Sequence, residues 1–111
     1  MISFRLSFLF SVIFNNCQLN LSSFYGMKIK KIKFNHCGLQ EVDFTGADLT
    51  EGSLNNCDLA GAIFSNTKLQ KADLRTAINY SLNPDTNDIR KARFSLHGIA
   101  GLLDKYDIVV E

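Results

Sequence analysis

A chain of 111 residues with 46% hydrophobic and 21% charged content is long enough for one narrow core and too short for two. Its formal net charge of +1 excludes the broad basic footprint of a dedicated nucleic-acid binder, and equally the acidic excess of a chain that imitates a phosphate backbone. The three cysteines are an odd set without a Cys-x-x-Cys or a histidine pair at ligand spacing, so they imply neither a disulfide framework nor a zinc site and fit a reducing cytoplasm.

In chain order, the apolar opening from Met1 to Phe14 lacks a small-residue cleavage site and is too short to span a bilayer. It reads instead as the start of a repeat, because a large apolar residue stands at every fifth position: Phe4, Leu9, Phe14, Leu19, Phe24, Ile29, Phe34, Leu39, Phe44, Leu49, Leu54, Leu59, Phe64, Leu69 and Leu74. Two residues before each centre sits a usually smaller one, such as Ser22, Cys37, Val42, Ala47, Gly52, Ala62 and Ala72. In extended backbone, residues two apart share a face, so both point inward and the other three positions face out or turn a corner. A period of five is neither helical nor that of a flat strand; it requires a chain that bends after every short extended piece.

A second period is laid over the first. Phe14-Asn15-Asn16-Cys17 recurs as Phe34-Asn35-His36-Cys37 and as Leu54-Asn55-Asn56-Cys57, an offset of twenty. Four five-residue sides therefore make one coil, and successive coils stack at one strand spacing of roughly 4.8 Å. The fold class expected is an all-β solenoid.

The units Ala47-Asp48-Leu49-Thr50-Glu51 and Ala72-Asp73-Leu74-Arg75-Thr76 resemble the A(D/N)Lxx consensus of the pentapeptide-repeat family, and the pattern runs over residues 2 to 76. This resemblance implies a right-handed quadrilateral parallel β-helix. Its bacterial members include quinolone-resistance proteins that bind DNA gyrase as acidic, DNA-like rods.

The repeat breaks at Asn79 and Pro84, where Asn83-Pro84-Asp85 signals a turn. Counting in fives regains Ile89 and Phe94, expected beneath Leu69 and Leu74. Residues 1–78 thus form the repeat and 79–111 an irregular final coil with a short C-terminal helical cap. That helix starts at Ser95 and shares a face through Leu96, Ile99, Leu103 and Tyr106, followed by a strand at Ile108-Val109-Val110.

Candidate sites are few. Cys17, Cys37 and Cys57 form an inward column that reads as buried small residues rather than metal ligands. His36 and His97 are far apart on the repeat map, so no catalytic residue, cofactor site or metal site is assigned and the chain is read as no enzyme. The basic run Lys28, Lys30, Lys31 and Lys33 could meet an anionic partner, but Lys28 stacks over Asp48, Lys68 and Asp88, and Lys31 over Glu51 and Lys71, so charge pairing between coils is the expectation. Leu6, Phe8, Phe10 and Ile13 are apolar where later coils are mostly polar outside, a candidate interface for a second copy of the chain at an end of the solenoid.

These readings make the chain a non-enzymatic, cytoplasmic protein-interaction scaffold of unknown partner, with homodimerisation expected and nucleic acid and membrane not. The alternative is a gyrase-binding DNA mimic; residues 1 to 78 weigh against it with six acids facing eight bases.

Overall fold

A large residue every fifth position can be buried only if the backbone turns a corner between one such residue and the next. In the computed structural model, which describes residues 12–111, those corners are closed by hydrogen bonds across four residues. Ser22 N–H donates to Leu19 O (3.1 Å), Met27 to Phe24 (3.1 Å), Ala47 to Phe44 (3.0 Å) and Ala72 to Leu69 (3.0 Å). The third residue of these turns has a positive φ, as in type II turns. Glycine meets that demand at Gly26, Gly46 and Gly61, but Leu21 (φ 66°), Lys31 (φ 63°), Glu41 (φ 56°) and Glu51 (φ 59°) meet it elsewhere.

Coils then stack in parallel at the twenty-residue offset. Three short strands, β1 (Ile13–Asn15), β2 (Lys33–Asn35) and β3 (Ser53–Asn55), form a sheet in the order β1-β2-β3 with Phe14 paired to Phe34 and Phe34 to Leu54. On the other sides the same offset appears as single parallel bridges, among them Gln18 to Gly38, Ser23 to Asp43 and Lys28 to Asp48. The result is a parallel β solenoid of repeated short rungs.

Equal residues stacked on equal residues fill the core. The Phe24 and Phe44 rings lie 5.5 Å apart at 12°, and Phe44 and Phe64 5.3 Å apart at 14°, while Phe34 meets Phe24 edge-on at 79°. Ile29, Leu39, Leu49, Leu54, Leu59, Leu69 and Leu74 are fully buried around them. Burying each such side chain is worth roughly 1.5–3 kcal/mol.

The excursion after residue 78 keeps register as the count in fives requires: Lys68 bridges Asp88 and Asp73 bridges Arg93. Asn79 takes φ 62°, and Tyr80 and Leu82 enter the core in place of the missing centres. The turn at Pro84 is held by Asn83, whose side-chain oxygen accepts from Asp85 N–H (2.9 Å).

The end of the chain departs from the expected helix and strand. Ser95 Oγ does accept from Gly98 N–H (3.1 Å), but the chain then makes two 3₁₀ turns, Ile99–Leu102 and Asp104–Tyr106. Three residues per turn instead of 3.6 move the inward position, so Leu102 enters the core while Leu96 and Tyr106 are exposed. Gly98 and Gly101 are pressed so closely on the Tyr80 hydroxyl and carbonyl that a Cβ at either would collide, and this packing selects the tight turns. Ile108–Val110 is no strand: Val109 is 83% exposed and its neighbours are exposed too.

Candidate functional site

The outward positions of each side form columns, and several of these columns carry charge. Lys28, Lys30, Lys31 and Lys33 are all exposed. The expected column exists in the backbone, with Lys28 bridged to Asp48, Asp48 to Lys68 and Lys68 to Asp88. The ion pairs, however, do not run straight up it. Asp48 is met diagonally by Lys30, Nζ to carboxylate 3.9 Å, and Asp48 Oδ1 accepts from Thr50 N–H (3.1 Å) and Thr50 Oγ (2.6 Å).

The two strongest pairs lie within one side. Arg75 grips Asp73 through Nε (3.0 Å) and Nη2 (2.9 Å), and Arg90 grips Asp88 in the same way at 3.0 and 2.9 Å. Residues two apart point the same way from an extended piece, and the guanidinium fork matches a carboxylate where a lysine offers only a point charge. This is why the charge pattern read from the columns places the residues correctly but not their bonds. Arg75 holds the Asp73 carboxyl below its ordinary range, and Arg90 does the same for Asp88. The Asp58 carboxyl is lowered by the Asn79 and Gln40 amides, which donate to it at 3.1 and 2.7 Å.

The inward cysteine column is as expected, with Cys37 and Cys57 buried, Cys17 half-buried and all three free. Each buried thiol donates to a carbonyl of the coil before it, Cys37 to Phe14 O and Cys57 to Phe34 O, both at 3.4 Å. Burial pushes the Cys57 thiol up to about 11, so it is protonated at neutral pH. Thr67 and Asn87 use the same geometry on another side, donating to Phe44 O (2.8 Å) and Phe64 O (3.1 Å).

Sequence reasoning did not assign an amide ladder beside the thiols. Asn35 Nδ2 donates to Asn15 Oδ1 (3.0 Å) and Asn55 Nδ2 to Asn35 Oδ1 (3.2 Å). The recurrence of asparagine at 15, 35 and 55, at twenty-residue spacing, was its signal.

Of the candidate interface, Leu6, Phe8 and Phe10 lie outside the described residues. Ile13 is exposed in the column of Lys33, Ser53, Asp73 and Arg93. His36 is exposed at φ 53°, in the column of Asn16 and Asn56 with φ 54° and 53°; its place is explained by tolerance of the left-handed region, shared with asparagine. His97 lies with Arg75, Thr76 and Ser95 on a cleft of about 390 Å³. There Ser95 Oγ accepts from Gly98 and Thr76 Oγ from Asn56 N–H (2.9 Å), and among the described residues neither hydroxyl is bonded to His97.

Residues 43–78 match the family model for pentapeptide repeats, in eight copies. The chain carries pentapeptide repeats. Solved structures of pentapeptide-repeat proteins share the architecture. A trypsin-treated form of QnrB1, a plasmid-mediated fluoroquinolone resistance protein, is 18% identical with a TM-score of 0.51 over 98% of this chain and 72% of its own. A second trypsin-treated QnrB1 is 17% identical with a TM-score of 0.50 over the same shares. Rfr23, a pentapeptide-repeat protein from the cyanobacterium Cyanothece 51142, is 19% identical with a TM-score of 0.47 over 82% of this chain and 62% of its own. At 18% and 17% identity, the likeness to the two QnrB1 structures is one of fold. No curated protein matches the chain.

Proposed function

We infer that the chain is a non-enzymatic scaffold, a right-handed quadrilateral β-helix with a C-terminal cap that offers flat, rigid faces to another protein in the cytoplasm. The observation that carries this reading is the in-register stacking of outward residues at twenty-residue spacing. It turns short sequence motifs into fixed columns such as Lys28, Asp48, Lys68 and Asp88. A face of this kind is preorganised, so little side-chain and loop ordering opposes binding. The basic upper part, Lys28, Lys30, Lys31 and Lys33, suits an anionic protein surface, and its four ammonium groups outnumber the one nearby carboxylate that an ion pair engages.

The alternative of a DNA-like surface is less well supported. The acids of the lower coils are held by Arg75 and Arg90, and Asp48 stands between Lys28 and Lys68, so no uninterrupted acidic stripe forms along these columns. Self-association through an end of the solenoid belongs to the same scaffold reading.

The test is capture of binding proteins from the source cell by the native chain and by a variant with Lys28, Lys30, Lys31 and Lys33 all changed to Glu. A protein held by the native chain and released by the variant supports the reading. Retention by both, or a supercoiling assay in which the chain protects or inhibits gyrase, overturns it in favour of another face or of the alternative.

A further inference from the structure

On one side of the solenoid four stretches stack as rungs: 27–31, 47–51, 67–71 and 87–91. The same bonds recur at each step. The N–H of the central residue donates downward, Ile29 to Asp48 O (3.0 Å), Leu49 to Lys68 O (2.7 Å) and Leu69 to Asp88 O (2.7 Å). So does the N–H two residues on, Lys31 to Thr50 O (2.9 Å), Glu51 to Gln70 O (2.8 Å) and Lys71 to Arg90 O (3.0 Å). The lower rung donates back, Lys68 N–H to Ala47 O (2.9 Å) and Asp88 N–H to Thr67 O (3.1 Å). At the last step a side chain joins in, with Thr67 N–H donating to Asn87 Oδ1 (3.0 Å).

At rung 87–91 this series stops with its groups open. The N–H groups of Asn87, Ile89 and Lys91 and the carbonyl of Asn87 have no partner among the described residues. Ile89 is only partly buried, whereas Ile29, Leu49 and Leu69 above it are fully so. An open edge of this kind is a template for one more extended segment.

We propose that this edge is a docking site whose occupant is the chain's own segment Asp107-Ile108-Val109-Val110-Glu111, bound in parallel as a fifth rung. The segment stands at the twenty-residue offset, and each of its residues suits the place that offset gives it. The Asp107 carboxylate, an acceptor only, takes the Asn87 N–H as Asn87 Oδ1 takes that of Thr67. Ile108 N–H donates to Asn87 O, and the carbonyls of Ile108 and Val110 accept from Ile89 and Lys91. Val109 covers the open underside of Ile89, and the Glu111 carboxylate comes beneath the Lys91 ammonium.

Two observations favour the chain's own segment over that of a second copy. The Lys105 ammonium already pairs with the Asp85 carboxylate, and Leu82 N–H donates to Gly101 O (3.1 Å), so the chain just before the segment already lies at the twenty-residue offset. The segment itself is unspent: Ile108, Val109 and Val110 are exposed and their backbone N–H groups make no hydrogen bond among the described residues. The structure thus shows both the strap and the edge that it matches open.

Amide hydrogen exchange of the full-length chain, resolved by residue, tests this. In the native chain the Asn87, Ile89 and Lys91 amides are expected to exchange roughly 100-fold more slowly than in Val109→Asp, whose substituted side chain is exposed in the open form. The Leu69 and Lys71 amides, bonded one rung higher, should be equally protected in both and report that the solenoid is intact. Asp107→Asn, which keeps an acceptor oxygen, should retain protection at Asn87, and Asp107→Ala should lose it. Equal exchange at the three edge amides in native chain and Val109→Asp overturns the proposal. So does protection that rises with protein concentration in step with a doubled mass in light scattering, which assigns the edge to a second copy.

Discussion

From Leu19 to Leu74 each centre of the five-residue repeat is buried, whereas between residues 79 and 111 the chain leaves the pattern, returns to it at Ile89 and Phe94, and ends in tight turns. The two regions differ in what holds them. In the first, side chains of like shape stack on one another and the backbone ladder runs in step with them. In the second, the bridges Lys68 to Asp88 and Asp73 to Arg93 bring the backbone back into step although two of the repeat's centres are gone. Register in this fold therefore belongs to the ladder on each side, and a coil tolerates a lost side if the flanking rungs still pair.

The sharpest test of that difference is to truncate a large apolar side chain in each region. Phe44 is fully buried between the stacked rings of Phe24 and Phe64, so Phe44→Ala should cost about 3–5 kcal/mol. Because each coil touches only its neighbours, the loss should divide the solenoid, seen as a broadened or biphasic urea transition. Leu96→Ala, at 91% exposed, should move stability by no more than about 0.5 kcal/mol.

In the terminal region, the sensitive residues should include glycines as well as the buried Tyr80, Leu82 and Leu102. Gly101→Ala places a methyl against the Tyr80 carbonyl, with an expected loss of about 1–3 kcal/mol. The change should appear as loss of Tyr80 burial, read from tyrosine fluorescence, while the buried Cys37 and Cys57 above stay protected from alkylation. If the loss is global, the two regions form one cooperative unit.

The corners of the regular region offer a gain instead. Leu21 is exposed at φ 66°, a conformation that costs an L-residue with a side chain roughly 1–2 kcal/mol. Leu21→Gly, matching Gly26 and Gly46, should stabilise by up to about 1 kcal/mol after glycine's greater freedom in the unfolded chain is subtracted. The check is the urea midpoint at unchanged slope.

The smallest effect is electrostatic. The folded-state values of Asp58 and Asp73 are lowered by the Asn79 and Gln40 amides and by Arg75, so the unfolded chain binds protons first as pH falls. Their contribution is complete above the ordinary carboxylate range near pH 4 and disappears as pH drops through the lowered values. Each is worth at most about 1 kcal/mol at these partly exposed positions. Asp58→Asn should lower the plateau near neutrality by up to that amount and flatten the acid limb of a stability-against-pH curve.

Most of the solenoid was legible because its two periods are carried by side chains of obligatory placement. Phe34 and Leu54 recur beneath Phe14, and Cys37 and Cys57 beneath Cys17, where only inward positions could hold them all. The terminal turns were not legible. Leu96, Ile99, Leu103 and Tyr106 have helical spacing, but the approach of Gly98 and Gly101 to Tyr80 is a packing constraint between distant parts of the chain, and no local pattern encodes it. The charged face was legible by position only. Columns predict which residues are neighbours, while the choice of Arg75 for Asp73 rests on the reach and fork of one side chain.

The twenty-residue coil also sets what lengths of sequence change this molecule can absorb. Inserting twenty residues is a translation: each face grows by one rung and keeps its composition and direction. Inserting or deleting five is a rotation, since every later residue moves on by one side. The column that joins Lys28 to Asp48, Lys68 and Asp88 would then be severed, its upper members facing one way and its lower members facing the adjacent side. A partner that reads one face would be indifferent to the first kind of change and lost by the second, so the surface is digital in sequence length although the core beneath it is not.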